Sequence, residues 1–147
     1  MKEKKEKGMS EIVKTVTSLV MDVIAVFGIY IVFYGHLSPG GGFAGGLIIA
    51  FLFILLFLAH GQEDAIRKLP YHFVRRINYI GLTALFILFI VALYRPTLQV
   101  NLWEGKDFTL LSGGIIPPLN IAVWLKVGAG IFMVFVALSV FKRGEKK

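Results

Sequence analysis

One glycine-rich stretch organises the rest of the chain. It reads Gly35-His36-Leu37-Ser38-Pro39-Gly40-Gly41-Gly42-Phe43-Ala44-Gly45-Gly46 and separates two long apolar segments. Pro39 fixes its own φ angle and Gly40 is free to take a positive φ, which predicts a tight turn over residues 38–41. If a helix begins near Phe43, the glycines around it form a strip without side chains, which another backbone can approach closely. Glycine is costly inside a helix, so this pattern favours close packing over a plain linker.

The composition is that of a membrane protein. Of the 147 residues, 56% are hydrophobic, and 16 more are glycine; the mean hydropathy is +0.75. This apolar fraction is well above that of soluble domains. The chain has no cysteine, which excludes disulfides, thiolate metal sites, iron–sulfur clusters and a cysteine nucleophile on this chain.

Four apolar segments are long enough to cross a bilayer, at about residues 12–34, 43–59, 77–94 and 119–141. The predicted fold is therefore an all-α integral membrane protein with four transmembrane helices. We expect one domain over residues 1–147, with a short charged tail at residues 1–10. No internal repeat is visible, which argues against a transporter built from inverted halves of this one chain.

The distribution of lysine and arginine predicts the orientation. The formal net charge is +7, and these basic residues flank apolar segments, so membrane topology explains them better than nucleic-acid binding. They concentrate before the first span, between the second and third spans, and after the fourth. The positive-inside rule then places both termini in the cytoplasm, with the glycine turn and the 95–118 loop outside.

Two connections allow further interpretation. The second, from His60 to Arg76, can hold a short amphipathic helix near residues 63–68 that stops at Pro70, or be an ordinary basic loop. The third, from Arg95 to Pro118, contains aromatic residues that suggest folding onto a surface. Pro118 suits the first turn of the fourth helix.

Two charged residues lie deep inside predicted spans. Asp22 is near the middle of the first span, and Lys126 is about two turns into the fourth. Each costs about 2.5–3.5 kcal/mol at a bilayer centre on insertion scales, so each should face protein or water. Three interpretations remain open: a buried pair between the two, separate contacts with charged groups of neighbouring subunits, or direct participation in a proton or sodium path.

Other polar residues offer weaker signals. His36 in the glycine-rich stretch can relay protons, because the unperturbed pKa of histidine is near physiological pH, or it can be a turn residue bonded to backbone. Asn120, just inside the fourth span, can hydrogen-bond an adjacent helix. Phosphate-loop, zinc-protease and serine-hydrolase motifs are absent from the sequence. We therefore predict no catalytic residues, no metal site and no bound cofactor on this chain.

The chain resembles the MnhB/MrpB family of small subunits from multisubunit sodium/proton antiporters. The resemblance rests on the stretch from Tyr34 to Gly46 and on Pro118-Leu119-Asn120-Ile121-Ala122-Val123-Trp124-Leu125-Lys126-Val127-Gly128-Ala129-Gly130. It implies assembly with larger antiporter-like subunits in the plasma membrane of a prokaryote. Related subunits occur in membrane-bound hydrogenase and sulfur-reducing complexes, whose redox centres lie on other chains.

The expected function is thus that of a small, non-catalytic membrane subunit of a cation/proton antiporter module that moves Na⁺ and H⁺. The module is either a stand-alone antiporter or the ion-pumping arm of a redox-driven complex. In this interpretation Asp22, Lys126 and His36 are candidates for the ion path, and Pro39 and the glycines shape close contacts. Two alternatives are a purely structural membrane scaffold and a small homo-oligomeric transporter or channel.

Overall fold

The computed structural model describes residues 9–61, 70–94 and 114–144, with side chains up to residue 141. Its four helices are α1 (Glu11–Tyr34), α2 (Gly42–His60), α3 (Tyr71–Tyr94) and α4 (Ile116–Gly144). All four are long and apolar enough to cross a membrane. The prediction of an all-α fold with four membrane-spanning helices is therefore confirmed, whereas the orientation of the termini stays a prediction.

The third helix begins six residues before the apolar segment that predicted it. The backbone amides of Phe73 and Val74 both donate to the carbonyl oxygen of Pro70, at 2.9 and 3.4 Å. Proline suits a helix start, since it has no amide hydrogen to lose there. The residues that follow are aromatic or basic and can occupy a membrane interface, so hydropathy alone placed the start too late.

The fourth helix begins at Ile116, so Pro117 and Pro118 both lie in its first turn. The first amides of a helix have no acceptor within it, and two prolines there cost no hydrogen bonds. The amide of Leu119 closes the turn on the carbonyl oxygen of Ile115 at 3.1 Å. The predicted place of Pro118 is therefore confirmed.

The helices pack in the order α1–α2–α4–α3, with α4 between α2 and α3 and with α1 mainly against α2. We call the end of the bundle with residues 35–41 the turn end, and the end with Glu11, His60 and Tyr71 the tail end. At the tail end the amide of Met9 donates to the carbonyl oxygen of Ala59 at 3.0 Å. Only 6% of the α3 span is buried inside the chain, against 39% of the α2 span, so α3 offers the most surface to its surroundings.

An apolar cluster holds α2, α3 and α4 together in the half of the bundle nearer the tail end. Phe57 and Val74 pack there against buried residues of α4. Aromatic contacts join α2 and α4, with ring centroids 5.8 Å apart for Phe53 and Phe132 and 5.4 Å apart for Phe57 and Phe135. The amphipathic helix expected near residues 63–68 and most of the 95–118 loop lie outside the described residues.

Candidate functional site

The glycine-rich stretch forms the turn between α1 and α2. The amides of Leu37 and Ser38 donate to the carbonyl oxygen of Tyr34 at 2.9 and 3.0 Å, and the Ser38 hydroxyl donates to the same oxygen at 3.1 Å. Pro39 is exposed at the tip of the turn. Gly41 then has a φ of +102°, a conformation that other residues rarely adopt. The chain thereby reverses within a few residues.

Gly42 and Gly46 lie against α4, and we call this contact the glycine seam. A Cβ atom on Gly42 would overlap the backbone carbonyl oxygen of Asn120. A Cβ atom on Gly46 would lie 2.9 Å from Cβ of Val127 and 3.0 Å from the carbonyl oxygen of Trp124. The two backbones touch because neither glycine carries a side chain, which is how small residues join helices in membranes.

Asn120 caps α2 from the neighbouring helix. The N-cap residue of α2 is Gly41, which has no side chain to accept hydrogen bonds from the first amides. The amide of Gly42 instead donates to Oδ1 of Asn120, 78 residues away in sequence, at 3.3 Å. The prediction that Asn120 bonds an adjacent helix is confirmed. Its Nδ2 and the indole nitrogen of Trp124, one turn further along α4, are buried without an acceptor in the described part of the chain.

Gly45, also in the first turns of α2, faces α1. A Cβ atom on Gly45 would overlap Cγ2 of Val32 and lie 2.9 Å from the carbonyl oxygen of Gly28. Gly28 in turn lies against α2, because a Cβ there would be 3.2 Å from side-chain atoms of Ile48 and Ile49, which would have to shift by a few tenths of an ångström. Gly42 and Gly46 of α2 thus contact α4, and Gly45 contacts α1. Phe43, in the same turn of α2, is 63% exposed.

Lys126 lies at the contact between α3 and α4. Its Nζ donates to Oδ1 of Asn78 at 2.8 Å, and both side chains are half-buried. Gly81, one turn along α3, lets the helices approach, since a Cβ there would be 2.8 Å from the amide nitrogen of Lys126. The structure therefore joins Lys126 to an amide of α3 and not to Asp22. An amide accepts the hydrogen bond without neutralising the positive charge.

Asp22 lies on an exposed face of α1. It is 11 residues from Glu11 and 12 from Tyr34, which places it near mid-helix, roughly 17–18 Å from either end. Its carboxylate has no hydrogen bond or ion pair with any described residue. Ser18, one turn away on the same face, is also exposed and makes no hydrogen bond within the described chain.

Ser18 differs in this respect from three other hydroxyl residues of the helices. Thr15, Thr83 and Ser139 each donate to the carbonyl oxygen four residues earlier, at 2.9–3.0 Å. Such back-bonding satisfies a hydroxyl within its own helix. The hydroxyl of Ser18 therefore remains available, together with the Asp22 carboxylate, to groups outside the chain.

The three candidates for the ion path are thus separated. Asp22 lies on α1, Lys126 lies between α3 and α4, and His36 is half-buried in the turn after α1. Sequence reasoning did not single out Asn78 or Ser18. Both carried a usable signal, because a polar residue inside an apolar span needs a partner, and Ser18 is four positions before Asp22.

Comparison with known proteins agrees with this architecture. The profile of the MnhB family, described as a domain related to the MnhB subunit of a Na⁺/H⁺ antiporter, matches residues 12–133. The antiporter subunits mnhB2 of Staphylococcus aureus strains Newman and JH1 are each 47% identical to this chain over 70 residues. Those residues are 48% of this chain and 49% of the relative, so the match spans about half of each.

A solved structure is similar over a longer part of the chain. It belongs to the membrane-bound sulfane sulfur reductase, an archaeal respiratory membrane complex. The TM-score is 0.73 at 30% sequence identity, and the match covers 89% of this chain and 58% of the other.

The fold and the glycine seam define a multi-pass membrane protein of four close-packed helices. On its surface lie polar groups that have no partner among the described residues. The family match covers most of the chain and includes both the glycine turn and the stretch around Asn120 and Lys126. The chain belongs to the MnhB family.

Proposed function

We propose that this chain is a small, non-catalytic subunit of a multisubunit cation/proton antiporter module in a prokaryotic plasma membrane. The module moves Na⁺ and H⁺, and is either a stand-alone antiporter of the Mrp type or the ion-pumping arm of a membrane-bound hydrogenase-type respiratory complex. The chain packs between larger subunits and helps to enclose the ion path. The family and the similar respiratory complex support this proposal.

The observation that carries the proposal is the exposed face of α1 with Ser18 and Asp22. An ionised carboxylate near mid-membrane is costly against lipid, by about 2.5–3.5 kcal/mol on insertion scales. Within the described part of the chain nothing compensates this cost. The Ser18–Asp22 face of α1 therefore faces another subunit or a hydrated path.

Lys126 supports a position between subunits. It lies at the α3–α4 contact, whereas Asp22 lies on the outermost helix at the other end of the α1–α2–α4–α3 order. The two opposite charges do not neutralise each other, so each needs its own polar surroundings. A subunit with a separate charged position at each end of its helix row is suited to contact two neighbours.

The face also argues against a twofold dimer of this chain joined through it. A symmetric contact between two copies is formed by the same surface patch on both. Two copies joined through the Ser18–Asp22 face would bring two carboxylates together inside the membrane, where like charges repel strongly. We therefore expect a different protein, or water, at this face.

The first test is the replacement Asp22→Asn in the native complex, with Na⁺-coupled proton movement measured in membrane vesicles. We expect the complex to assemble and its activity to fall at least about 100-fold, the lower end of what a positioned proton-transfer group contributes. Glu11→Gln is the matched control, because it removes a carboxylate at the end of the same helix. An assembled and fully active Asp22→Asn complex would instead support the structural scaffold.

Gentle detergent purification from native membranes, followed by mass spectrometry, identifies the complex. Large antiporter-like subunits alone would indicate a secondary antiporter, and hydrogenase or iron–sulfur subunits would indicate a redox-driven pump. Recovery of this chain alone as a stable oligomer would contradict the proposal.

A further inference from the structure

The ammonium group of Lys126 lies near the middle of the membrane span of α4. Its Nζ is 2.8 Å from Oδ1 of Asn78, and that oxygen would be 3.8 Å from a Cβ atom on Gly130, one turn after Lys126. The ammonium group is therefore level with about residues 126–130. The span runs from Ile116 to Phe141, so this level is roughly 15–22 Å from either end at 1.5 Å per residue.

This position differs from that of a lysine that reaches the membrane surface. A lysine near a helix end can extend its side chain to the interface. The side chain of Lys126 instead extends toward Gly130, and thus away from Ile116, the nearer end of the span. The hydrocarbon core is about 30 Å thick, so a lipid headgroup at the interface is too far away to pair with this ammonium group.

The described part of the chain supplies no negative charge at this position. It contains two acidic side chains. Glu11 pairs with Lys14 at the tail end, at 2.9 Å, and Asp22 lies on α1, which packs mainly against α2. Asn78 accepts one hydrogen bond, whereas an ammonium group has three hydrogens to donate. Charged groups inside a membrane pair with one another or face water, so Lys126 needs a partner from outside the described chain.

Gly130 leaves room for such a partner beside the ammonium group. It is half-buried, and a Cβ atom there would meet only Oδ1 of Asn78 among the described residues outside its own stretch of helix. Lys126, Gly130 and Ala137 follow each other at intervals of four and seven residues, so they share one face of α4. Ala137 is exposed. Small residues on this face allow a helix of another protein to come close to the charge.

We propose that a transmembrane helix of a neighbouring subunit places an aspartate or glutamate carboxylate against Lys126, beside Gly130. The carboxylate accepts hydrogen bonds that Asn78 leaves unused and neutralises the charge, which a neutral amide does not do. This inference rests on the proposed function, because it requires a complex of several subunits. It assigns Lys126 to a contact between subunits and not to the ion path.

The charge also indicates that the neighbour is a different protein. A twofold contact between two copies of this chain at the Lys126–Gly130 face would bring two ammonium groups together, because such a contact uses the same patch on both copies. Like charges repel strongly where the dielectric constant is low. An acidic residue on another subunit avoids this repulsion.

The first experiment compares Lys126→Met with Lys126→Arg in the native complex. The complex is purified through a tag on this chain, and the other subunits are quantified by mass spectrometry over a dilution series. Removal of one member of a buried charge pair weakens association about 30-fold or more, and we expect this for Lys126→Met, whereas Lys126→Arg should retain the neighbour. Lys14→Met is the matched control, because it removes the same side chain from an ion pair whose Glu11 is exposed.

The outcomes separate this inference from the proposed function. If Lys126→Met retains every subunit at the level of the unchanged complex, the inference is wrong and the proposed function stands. Loss of Na⁺-coupled proton movement from such a complete complex would assign Lys126 to the ion path instead. Recovery of the unchanged chain without any other subunit would contradict the proposed function itself.

Cross-linking identifies the partner without relying on the stability of Lys126→Met. The chain has no cysteine, so Gly130→Cys introduces its only thiol. A short photoactivatable reagent on this thiol should label a transmembrane segment of another subunit that contains an acidic residue. Ile80→Cys is the control, because Ile80 is 60% exposed and lies two residues from Asn78, on a different face of α3; it should not label that segment.

A charge exchange completes the test. Lys126→Glu combined with replacement of the identified acidic residue by Lys should restore the association that each single change weakens. A labelled segment without an acidic residue would overturn the inference, and so would labelling of residues 95–113 of this chain or of lipid alone.

Discussion

The two sides of α4 are joined to their neighbours by different means. Toward α2, the glycine seam brings backbone against backbone, and a hydrogen bond goes from the amide of Gly42 to the side chain of Asn120. Toward α3, Gly81 also brings backbone against backbone, but the hydrogen bond across this contact joins two side chains, those of Lys126 and Asn78. A bond between side chains can adjust to a small displacement, whereas backbones in contact cannot.

The contrast is between a polar bond that begins at a backbone amide, toward α2, and one that joins two side chains, toward α3. The glycine seam fixes where α2 and α4 sit relative to each other. The hydrogen bond to α3 can follow a small displacement, because the Lys126 side chain has several rotatable bonds, and the backbone contact at Gly81 limits the size of that displacement. Substitutions in the two contacts should therefore differ in how strongly they destabilise the folded protein.

The largest effect should come from Gly42→Leu. Its Cβ would overlap the carbonyl oxygen of Asn120, so the two helices must separate, at a cost of about 3 kcal/mol or more. We expect little folded protein in fluorescence-detected size-exclusion chromatography. Phe43→Leu, a neighbouring change on an exposed residue, should give a normal profile. A normal profile for Gly42→Leu would contradict the rigid seam.

A smaller effect should follow from Gly81→Ala. A Cβ here would lie 2.8 Å from the amide nitrogen of Lys126, and a shift of α3 can relieve the clash at a cost of about 1–2 kcal/mol. Gly130→Ala is the matched control, because its Cβ would meet only Oδ1 of Asn78, at 3.8 Å. Thermal unfolding in detergent should show a lower midpoint for Gly81→Ala alone. Equal midpoints would mean that the α3 contact adapts more fully than we infer.

The smallest effect concerns the polar bond itself. A double-mutant cycle with Asn78→Ala and Lys126→Met should give a coupling energy of about 0.6 kcal/mol and at most about 1.7 kcal/mol, as for other hydrogen bonds between membrane helices. Unfolding of the four proteins in denaturant measures it. A coupling energy near zero would show that packing at Gly81, and not the hydrogen bond, holds α3.

The sequence predicted the features of this fold that can be inferred from a single residue or a single apolar segment. Hydropathy located all four helices, because membrane thickness sets the length of a span. It missed the start of α3 at Tyr71, where a proline and interfacial residues extend the helix beyond the apolar segment. The position of Asn120 predicted a bond to a neighbouring helix.

Pairings between helices were harder to predict. A pair between Asp22 and Lys126 is one interpretation of the sequence because both charged residues lie deep inside predicted spans. The order of helices separates them, since α1 packs mainly on α2 and Lys126 points toward α3. Neither hydropathy nor residue spacing within one helix predicts the order in which the helices pack. The role of Asn78 depends on a partner 48 residues away, which one sequence does not identify.

The turn between α1 and α2 has a consequence for biosynthesis. Residues 35–41 contain no lysine, arginine, aspartate or glutamate, so a nascent hairpin of the first two helices can cross the bilayer without translocating a charged loop. Gly28 and Gly45 can close that hairpin early, because the residues involved are close in sequence. The first amide of α2 then has no side-chain acceptor until Asn120 is synthesised, 78 residues later. Only when α4 packs against α2 can Asn120 cap the start of α2. Insertion of α4 and capping of α2 are therefore coupled events.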